Sequence, residues 1–356
     1  MSRPLGYCTV QEWVHSSRSK YPENMTMDLN LAAHCRLSPS KGLYQPVFTE
    51  MAYREPNPFV SIVAEGRVWG RSGAVLTPNV HLLYDASTYH DFDPRQHEVF
   101  HAWTPLQMDR FHGTAAVITC WDPQNYFHWL YDIIARFELL RKSGVRVDQY
   151  ILNGTKHRFL DEVLRLLKIE ESKVVYTDDQ FYWSASQLAI PSLPNRVGYS
   201  EWTVDFLRKK LLPYASKDFR RSKSIYISRG DAAYRRIANE HEVIGVLQRF
   251  GFEVYTLGAL TLKEQIQLFA SAEMIVAPHG AGLANLTFAQ PGTKVIELFA
   301  ETFVSPLYWV LSHHCKLDYY TLVSKAYNPQ GYAGFHDSLV DINELCCLLL
   351  KIRMQP

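Results

Sequence analysis

No run of about 18 apolar residues occurs anywhere in the chain, so no helix able to cross a bilayer is predicted. Neither sign of charge is in excess: 37 Lys and Arg stand against 36 Asp and Glu, a formal net charge of +1. That balance excludes wholesale binding to nucleic acid or to an anionic membrane, which takes a broad basic surface. Cysteine is sparse and unpatterned. Cys8, Cys35, Cys120, Cys315, Cys346 and Cys347 show no C-x-x-C spacing, so neither a disulfide framework nor a cysteine-based zinc site is suggested. Reduced thiols in a cytosolic protein are expected. The first residues lack the apolar stretch of a signal peptide, which points the same way. There is no internal repeat and no low-complexity tract.

Aromatics, by contrast, are plentiful. Tyr, Phe and Trp number 21, 18 and 8, or 13% of the chain, which excludes a disordered, linker-like polypeptide. A length of 356 residues predicts two domains.

The texture changes along the chain. Residues 1–110 are irregular, with strand-like pieces at Phe59–Val63, Ala74–Thr77 and His81–Tyr84 that predict a β-rich portion. From Thr114 strands and helices alternate: Ala115–Thr119 as strand, then a helix over Gln124–Lys142 closed by Gly144. Strands at Tyr150–Leu152, Lys173–Tyr176 and Gln187–Ile190 follow, with helices over Arg158–Leu167 and from Glu201 to Leu212, the latter ended by Pro213. A polar, basic stretch, Ala215–Lys223, marks the domain boundary, giving domains 1–215 (β-rich 1–110, α/β 111–215) and 216–356. The second is the more regular. Strands at Ser224–Ser228, Phe252–Tyr255, Met274–Ala277 and Lys294–Leu298 alternate with helices at Glu240–Arg249, Leu262–Ala270 and Leu283–Phe288, the spacing of a parallel, doubly wound α/β sheet. A last helix spans 341–353, with Asp341 and Glu344 at capping-box spacing. Such folds bind ligands at the carboxyl ends of their strands.

Four motifs compete for that role. In the run from Met274 to Asn285 an apolar strand enters His279-Gly280-Ala281-Gly282-Leu283, and a helix begins at once. Glycine there lets a ligand approach the backbone, and the first helical N–H groups favour an anion. The plain alternative is a tight turn that needs Gly for its geometry. Arg229, Arg235 and Arg236, bracketed by Arg220, Arg221 and Lys223, follow a strand and suit a diphosphate; a solvated charged face is the plain alternative. Asn125, His128 and Asp132 sit at i, i+3 and i+7 and share one helix face, where His128 or Asp132 suits a general base and a capping pair is the plain alternative. His97-Glu98-x-x-His101 spells a zinc-peptidase signature, but Pro94 and Pro105 leave little room for its helix. Asp91-x-Asp93 spells a metal-holding pattern in a loop far from the regular units, and is discounted.

The stretch from about 115 to 300 resembles glycosyltransferase family 61, and a bacterial-type member of it. The resemblance rests on Ile227-Ser228-Arg229, Arg235-Arg236 with Asn239-Glu240, Leu262-x-x-Gln265-Ile266, and Pro291-Gly292. It rests most on His279-Gly280-Ala281-Gly282-Leu283 and Val295-Ile296-Glu297-Leu298, with Asn125–Asp132 as the other signature. It implies a GT-B fold: two Rossmann-like, doubly wound domains facing a cleft, with a β-rich N-terminal portion. It also implies an inverting transferase of hexosyl or pentosyl groups that works without a metal or other cofactor, from a nucleotide-diphosphate sugar, commonly a UDP-sugar, to a glycan or polysaccharide precursor. On that reading Arg229 and Arg236, with the N–H groups after Gly280 and Gly282, offset the leaving diphosphate. Arg235, Ala281 and Leu283 line the donor site with them, Glu297 takes the ribose hydroxyls, and His279 reaches the phosphate or the sugar. His128 and Asp132 supply the base and Asn125 lies on the acceptor side. The implied setting is cytosolic or loosely at the inner face of a membrane. Two other expectations stand beside it: a zinc-dependent hydrolase using His97, Glu98 and His101, and a nucleotide-sugar-binding protein without turnover.

Overall fold

The computed structural model describes residues 4–87, 92–103, 106–156, 158–193, 200–215 and 221–354. Asp91, Pro105 and Arg220, like the rest of 216–220, lie outside the described residues. The chain forms two compact units, Met1–Ala33 with Glu55–Arg196, and His34–Arg54 with Val197–Pro356. All six cysteines are free thiols.

The first unit is built on one sheet. Its parallel part comprises β1 (Asp109–Val117), β2 (Gln149–Leu152), β3 (Val174–Tyr176) and β4 (Tyr182–Pro191), in the order β3-β2-β1-β4. This order reverses direction between β1 and β4, where an α/β sheet opens a crevice. The three strand-like pieces before residue 110 are strands, at Phe59–Ala64, Ala74–Leu76 and His81–Leu83. Phe59–Ala64 and Arg67–Trp69 both pair antiparallel with β4 and thereby extend the sheet. The chain kinks between them at Glu65, whose φ is +52°, and Gly66 backs onto Leu188 so closely that a Cβ would lie 2.9 Å from it. Val63, Val117, Ile151 and Leu188 form the core with Val10 and Val14 of the helix Val10–Ser17.

The second unit holds β5 (Lys223–Ser228), β6 (Phe252–Thr256), β7 (Ala272–Pro278), β8 (Lys294–Ala300) and β9 (Asp318–Tyr327), all parallel, in the order β6-β5-β7-β8-β9. β10 (Asp337–Leu339) closes the edge antiparallel to β9. Helices Glu240–Arg249 and Ile342–Arg353 cover one face, burying Val243, Leu247, Leu345 and Leu348 against Val276, Ile296 and Leu298. Because strand side chains alternate, Val295, Glu297 and Phe299 point to the other face. Glu201–Ala215, Leu262–Ala270, the segment Ala281–Phe288 and Leu307–His314 pack together as a second helical layer. The second unit is therefore doubly wound, as its spacing predicts.

Three local expectations differ from the structure. The helix expected to end at Pro213 continues to Ala215. Proline in the last turn forfeits only its own N–H bond, and the helix has packing on Leu262–Ala270 to hold it. That packing also puts Glu201–Ala215 in the second unit, not before the boundary expected at 215. Residues 34–54 likewise belong to the second unit, although they lie far upstream: Lys41 N–H donates to the Tyr319 carbonyl at 3.0 Å, and Thr321 N–H to the Lys41 carbonyl at 2.9 Å. Finally, the capping box at 341–344 is half formed. Asp341 caps the backbone N–H groups of Asn343 and Glu344, whereas Glu344 accepts from the Tyr44 hydroxyl at 3.0 Å.

Candidate functional site

In the second unit the order of strands reverses between β5 and β7, and the two loops leaving their carboxyl ends carry the motif residues. After β7 the chain passes through His279 and Gly280 into a 3₁₀ helix, Ala281–Phe288, two residues longer than the short helix expected over Leu283–Phe288. Gly280 is its N-terminal residue and no side chain caps it. Neither Gly280 nor Gly282 occupies the left-handed region; Gly280 is extended, with φ 170°. They are glycines because of what lies beside them. A Cβ on Gly280 would fall 1.9 Å from Arg229 Nη1, and one on Gly282 would fall 2.7 Å from Leu257. Leu283 is buried beneath the loop. Gln265 of the Leu262-x-x-Gln265 motif braces this end of the sheet: its amide donates to the Leu257 and Leu260 carbonyls and its oxygen accepts from Asn285 at 2.9 Å.

Arg229 follows β5 directly and lies over this glycine. Its Nη2 donates to the Tyr234 carbonyl at 3.1 Å, while Nε is buried without a hydrogen-bond partner. Arg235 stands close by, its guanidinium 4.9 Å from the Tyr234 ring and 5.6 Å from that of Phe303, and its Nε is also unpartnered. Burial first, and the charge of Arg235 next, lower the pKa of Arg229. Among the described residues neither arginine forms a salt bridge with a carboxylate. Arg235 holds φ +55°, a strained value for a non-glycine residue, so the backbone itself turns this side chain toward its neighbour. Glu240 shapes the loop by accepting from Tyr226 and Ser228, and Asn239 ties it to Val340.

The wider basic cluster does not assemble here. Arg236 pairs with Asp337, whose oxygens accept its backbone N–H at 2.8 Å and face its Nη2 at 3.3 Å, so Arg235 and not Arg236 is the companion of Arg229. Arg221 binds the carbonyls of Pro291 and Gly292, and Lys223 pairs with Glu253 at 3.1 Å. Both precede or begin β5, at the end of the sheet opposite to Arg229. Sequence proximity had grouped residues that one strand length separates. The aromatic partners Tyr234, Phe303 and Tyr308 went unrecognised, although Tyr234 adjoins Arg235 in sequence.

His279 and Glu297 meet across β7 and β8. His279 Nδ1 donates to Glu297 Oε1 at 2.5 Å, and the Tyr319 hydroxyl donates to Oε2 at 2.5 Å. The carboxylate has 0% exposure and both oxygens bonded within the protein, so it presents no open edge to ribose hydroxyls and instead orients His279. The imidazole is stacked on Phe299, with ring centroids 5.3 Å apart, and packed against Phe303 and Tyr308. Burial and the Glu297 charge push the Tyr319 phenol well above its ordinary value.

In the first unit a helix leaves the β1 end. Asn125 caps it, accepting the Phe127 N–H at 3.0 Å, which commits this side chain to the helix start. The helix is α over Tyr126–His128, widens to π geometry over Trp129–Ile134 and returns to α over Ala135–Ser143, closing at Gly144 with φ 73°. Such widened turns are frequent at functional sites. His128 Nδ1 and Asp132 Oδ2 are 2.6 Å apart, both side chains nearly buried at 12% and 11% exposure. Arg136, wholly buried, donates to the Asp132 carbonyl and to the Thr119 carbonyl, each at 2.5 Å, pinning the widened turn to the end of β1. Burial lowers its pKa to about 10.

The zinc signature is not a metal site. Residues 98–100 form a single 3₁₀ turn, not a helix with two histidines on one face. His97 caps that turn, Nδ1 accepting the Val99 N–H at 3.1 Å, and His101 Nε2 bonds the Arg95 carbonyl at 2.9 Å. Glu98 accepts from Ser72 at 2.5 Å. Asp93 caps the preceding turn and pairs with Arg95. A zinc hydrolase built on these residues is thereby set aside.

Residues 126–296 match the family described as Glycosyltransferase 61, and that stretch belongs to it. A beta-1,2-xylosyltransferase of Oryza sativa subsp. japonica is 30% identical over 122 residues, 32% of this chain and 22% of the relative. A beta-1,2-xylosyltransferase of Arabidopsis thaliana is 24% identical over 106 residues, 26% of this chain and 20% of the relative. The chain thus matches about a fifth of the length of these curated relatives. Both are plant proteins, so the bacterial-type assignment draws no support from them. No helix among the described residues is long and apolar enough to cross a membrane.

Proposed function

We propose, with the membership of residues 126–296 in glycosyltransferase family 61 as the premise, that the chain moves a sugar from a nucleoside diphosphate to a glycan hydroxyl, with inversion and without a metal. The observation that carries this is the Arg229–Arg235 pair: two adjacent guanidiniums at a strand-order reversal, with no carboxylate salt-bridge partner among the described residues, beside an uncapped run of backbone N–H groups. A diphosphate is the ligand that relieves such an excess of positive charge, and arginine binds its oxygens bidentately. The names of the relatives favour a pentose donor, UDP-xylose in the first instance. The reading includes a GT-B arrangement with the donor on the second unit and the acceptor handled by the first. A cytosolic setting is part of the same proposal.

In the reaction an acceptor hydroxyl oxygen attacks the anomeric carbon while its proton passes to a base. The bond from that carbon to the diphosphate oxygen breaks, and the diphosphate leaves with the electron pair. Arg229, Arg235 and the N–H groups of Ala281 and Gly282 receive the growing charge. His128 is the base, with the Asp132 carboxylate holding its Nδ1 proton and stabilising the imidazolium that forms. Glu297 and Tyr319 keep His279 in one orientation beside the donor loop.

Titration calorimetry with uridine diphosphate tests the reading. Arg229→Ala is expected to weaken binding by about 1.5–3 kcal/mol, the range for hydrogen bonds to charged groups. Unchanged affinity in that variant overturns the donor site. A nucleotide-sugar-binding protein without turnover would bind the diphosphate yet release none from any of several UDP-sugars.

A further inference from the structure

The first unit contains a cavity of about 470 Å³, most of whose lining residues, Ile190–Leu193 apart, lie outside the family match. That volume is within the range of small-molecule sites, about 300–1,000 Å³. It opens where β4 ends, lined by Ile190, Pro191 and Ser192, and by Asp28, Asn57, Phe59 and the Tyr84–Asp85 turn from the β-rich portion. β4 is the parallel neighbour of β1, with Ala189 beside Ala116, so the cavity lies at the carboxyl end of the strand next to the one that feeds the His128 helix.

We propose that this cavity holds a neutral carbohydrate segment of the acceptor, a role that rests on the transferase reading. The argument begins with charge. Among the described residues the lining contains no Lys or Arg, and its ionisable acids are Asp28 and Asp85. The helix Val10–Ser17 starts at the rim, but its positive end is already answered: Thr9 and Glu12 form a capping box, and Asp85 Oδ1 accepts the Val10 N–H at 2.8 Å. Among the described residues a phosphate therefore meets two carboxylates here and no counter-charge, in contrast to the Arg229 loop. The remaining surface suits a polyol. Carboxylate oxygens accept hydroxyl protons and amide groups on Gln11 and Asn57 offer both donors and acceptors, while Phe59 and Tyr84 supply ring surface for the C–H faces of a sugar. The walls are fixed in advance. Phe59 N–H donates to Ser192 Oγ at 3.0 Å, Ala32 N–H donates to Asn57 Oδ1 at 3.1 Å, and Pro56, Pro58 and Pro191 stiffen the rim.

The test is saturation-transfer NMR on the full chain with a panel of neutral trisaccharides of gluco, galacto, manno and xylo configuration. At least one is expected to bind. Asp28→Asn and Asn57→Ala, at an exposed carboxylate and an exposed amide, are each expected to weaken it about tenfold or more while the melting temperature stays near that of the parent. Uridine diphosphate at saturation should leave the trisaccharide bound, and Arg229→Ala should not change it. Silence across the panel, displacement by uridine diphosphate, or full binding in both variants overturns the proposal. The outcomes separate the two readings: uridine diphosphate binding that survives in Arg229→Ala condemns the donor site, whereas an empty cavity beside an Arg229-dependent donor site condemns only the cavity.

Discussion

Gly280 and Arg229 are a single feature made of two residues. A methyl group at 280 would lie 1.9 Å from a guanidinium nitrogen, so the absence of a side chain is what lets the cation rest over the loop. Gly280→Ala is therefore expected to displace Arg229 and weaken uridine diphosphate by about 1.5–3 kcal/mol, like loss of the arginine itself, because it removes the same charge-assisted bonds. Extended φ at 280 means that alanine imposes no backbone strain, so the melting temperature should move little. A large fall in melting temperature with unchanged affinity for the remaining folded protein would show the glycine to serve packing alone. At this scale the sequence was informative about residue type and poor on partners. Arg229, His279 and Gly280 stood out by their strand-end positions. Arg235 and Arg236 are adjacent in sequence yet diverge, because the positive φ at 235 turns one toward Arg229 and the other toward Asp337. Glu297 was legible as a strand-end carboxylate, but its hydroxyl partner comes from Tyr319 on a neighbouring strand, which no local pattern announces.

Among the elements, long periodic ones were readable and short ones were not. The helices Glu240–Arg249 and Leu262–Ala270 fall where their apolar spacing puts them, since each buries one stripe against the sheet. The π widening at Trp129–Ile134 is invisible to a 3.6-residue count because buried Arg136 fixes it from a turn away. The motif at 97–101 shows the opposite failure, a helix-based signature on a chain too short to make the helix. Its histidine still has a physical role. Burial holds the pKa of His97 below the ordinary 6.5, and Nδ1 must be unprotonated to accept the Val99 N–H. Between the folded and unfolded values the unfolded chain binds more protons, so this stability is intact above the unfolded value and is lost as pH falls through the folded one. The denaturant midpoint should drop as pH falls below 6.5, and His97→Asn, which keeps a capping acceptor but does not titrate, should flatten that dependence. Equal slopes for parent and variant would remove His97 from the pH response.

On the scale of the whole molecule, the division into two units was legible in outline from length and texture. Its borders were not, since residues 34–54 join the second unit through backbone bonds to β9 that span nearly the length of the chain. The two constellations are consequently separable by experiment: the arginines belong to one unit and the His128–Asp132 pair to the other. Asp132→Asn should cut kcat by about 10²-fold or more, the scale of general base catalysis, while affinity for uridine diphosphate is retained. Arg229→Ala should weaken the diphosphate and spare the histidine. Within the pair, coupling gives the sharper test. The 2.6 Å contact makes His128 and Asp132 act as one base, so His128→Ala combined with Asp132→Asn should be hardly slower than His128→Ala alone. If the two losses instead multiply, the residues work independently, and Asp132 does not act through His128.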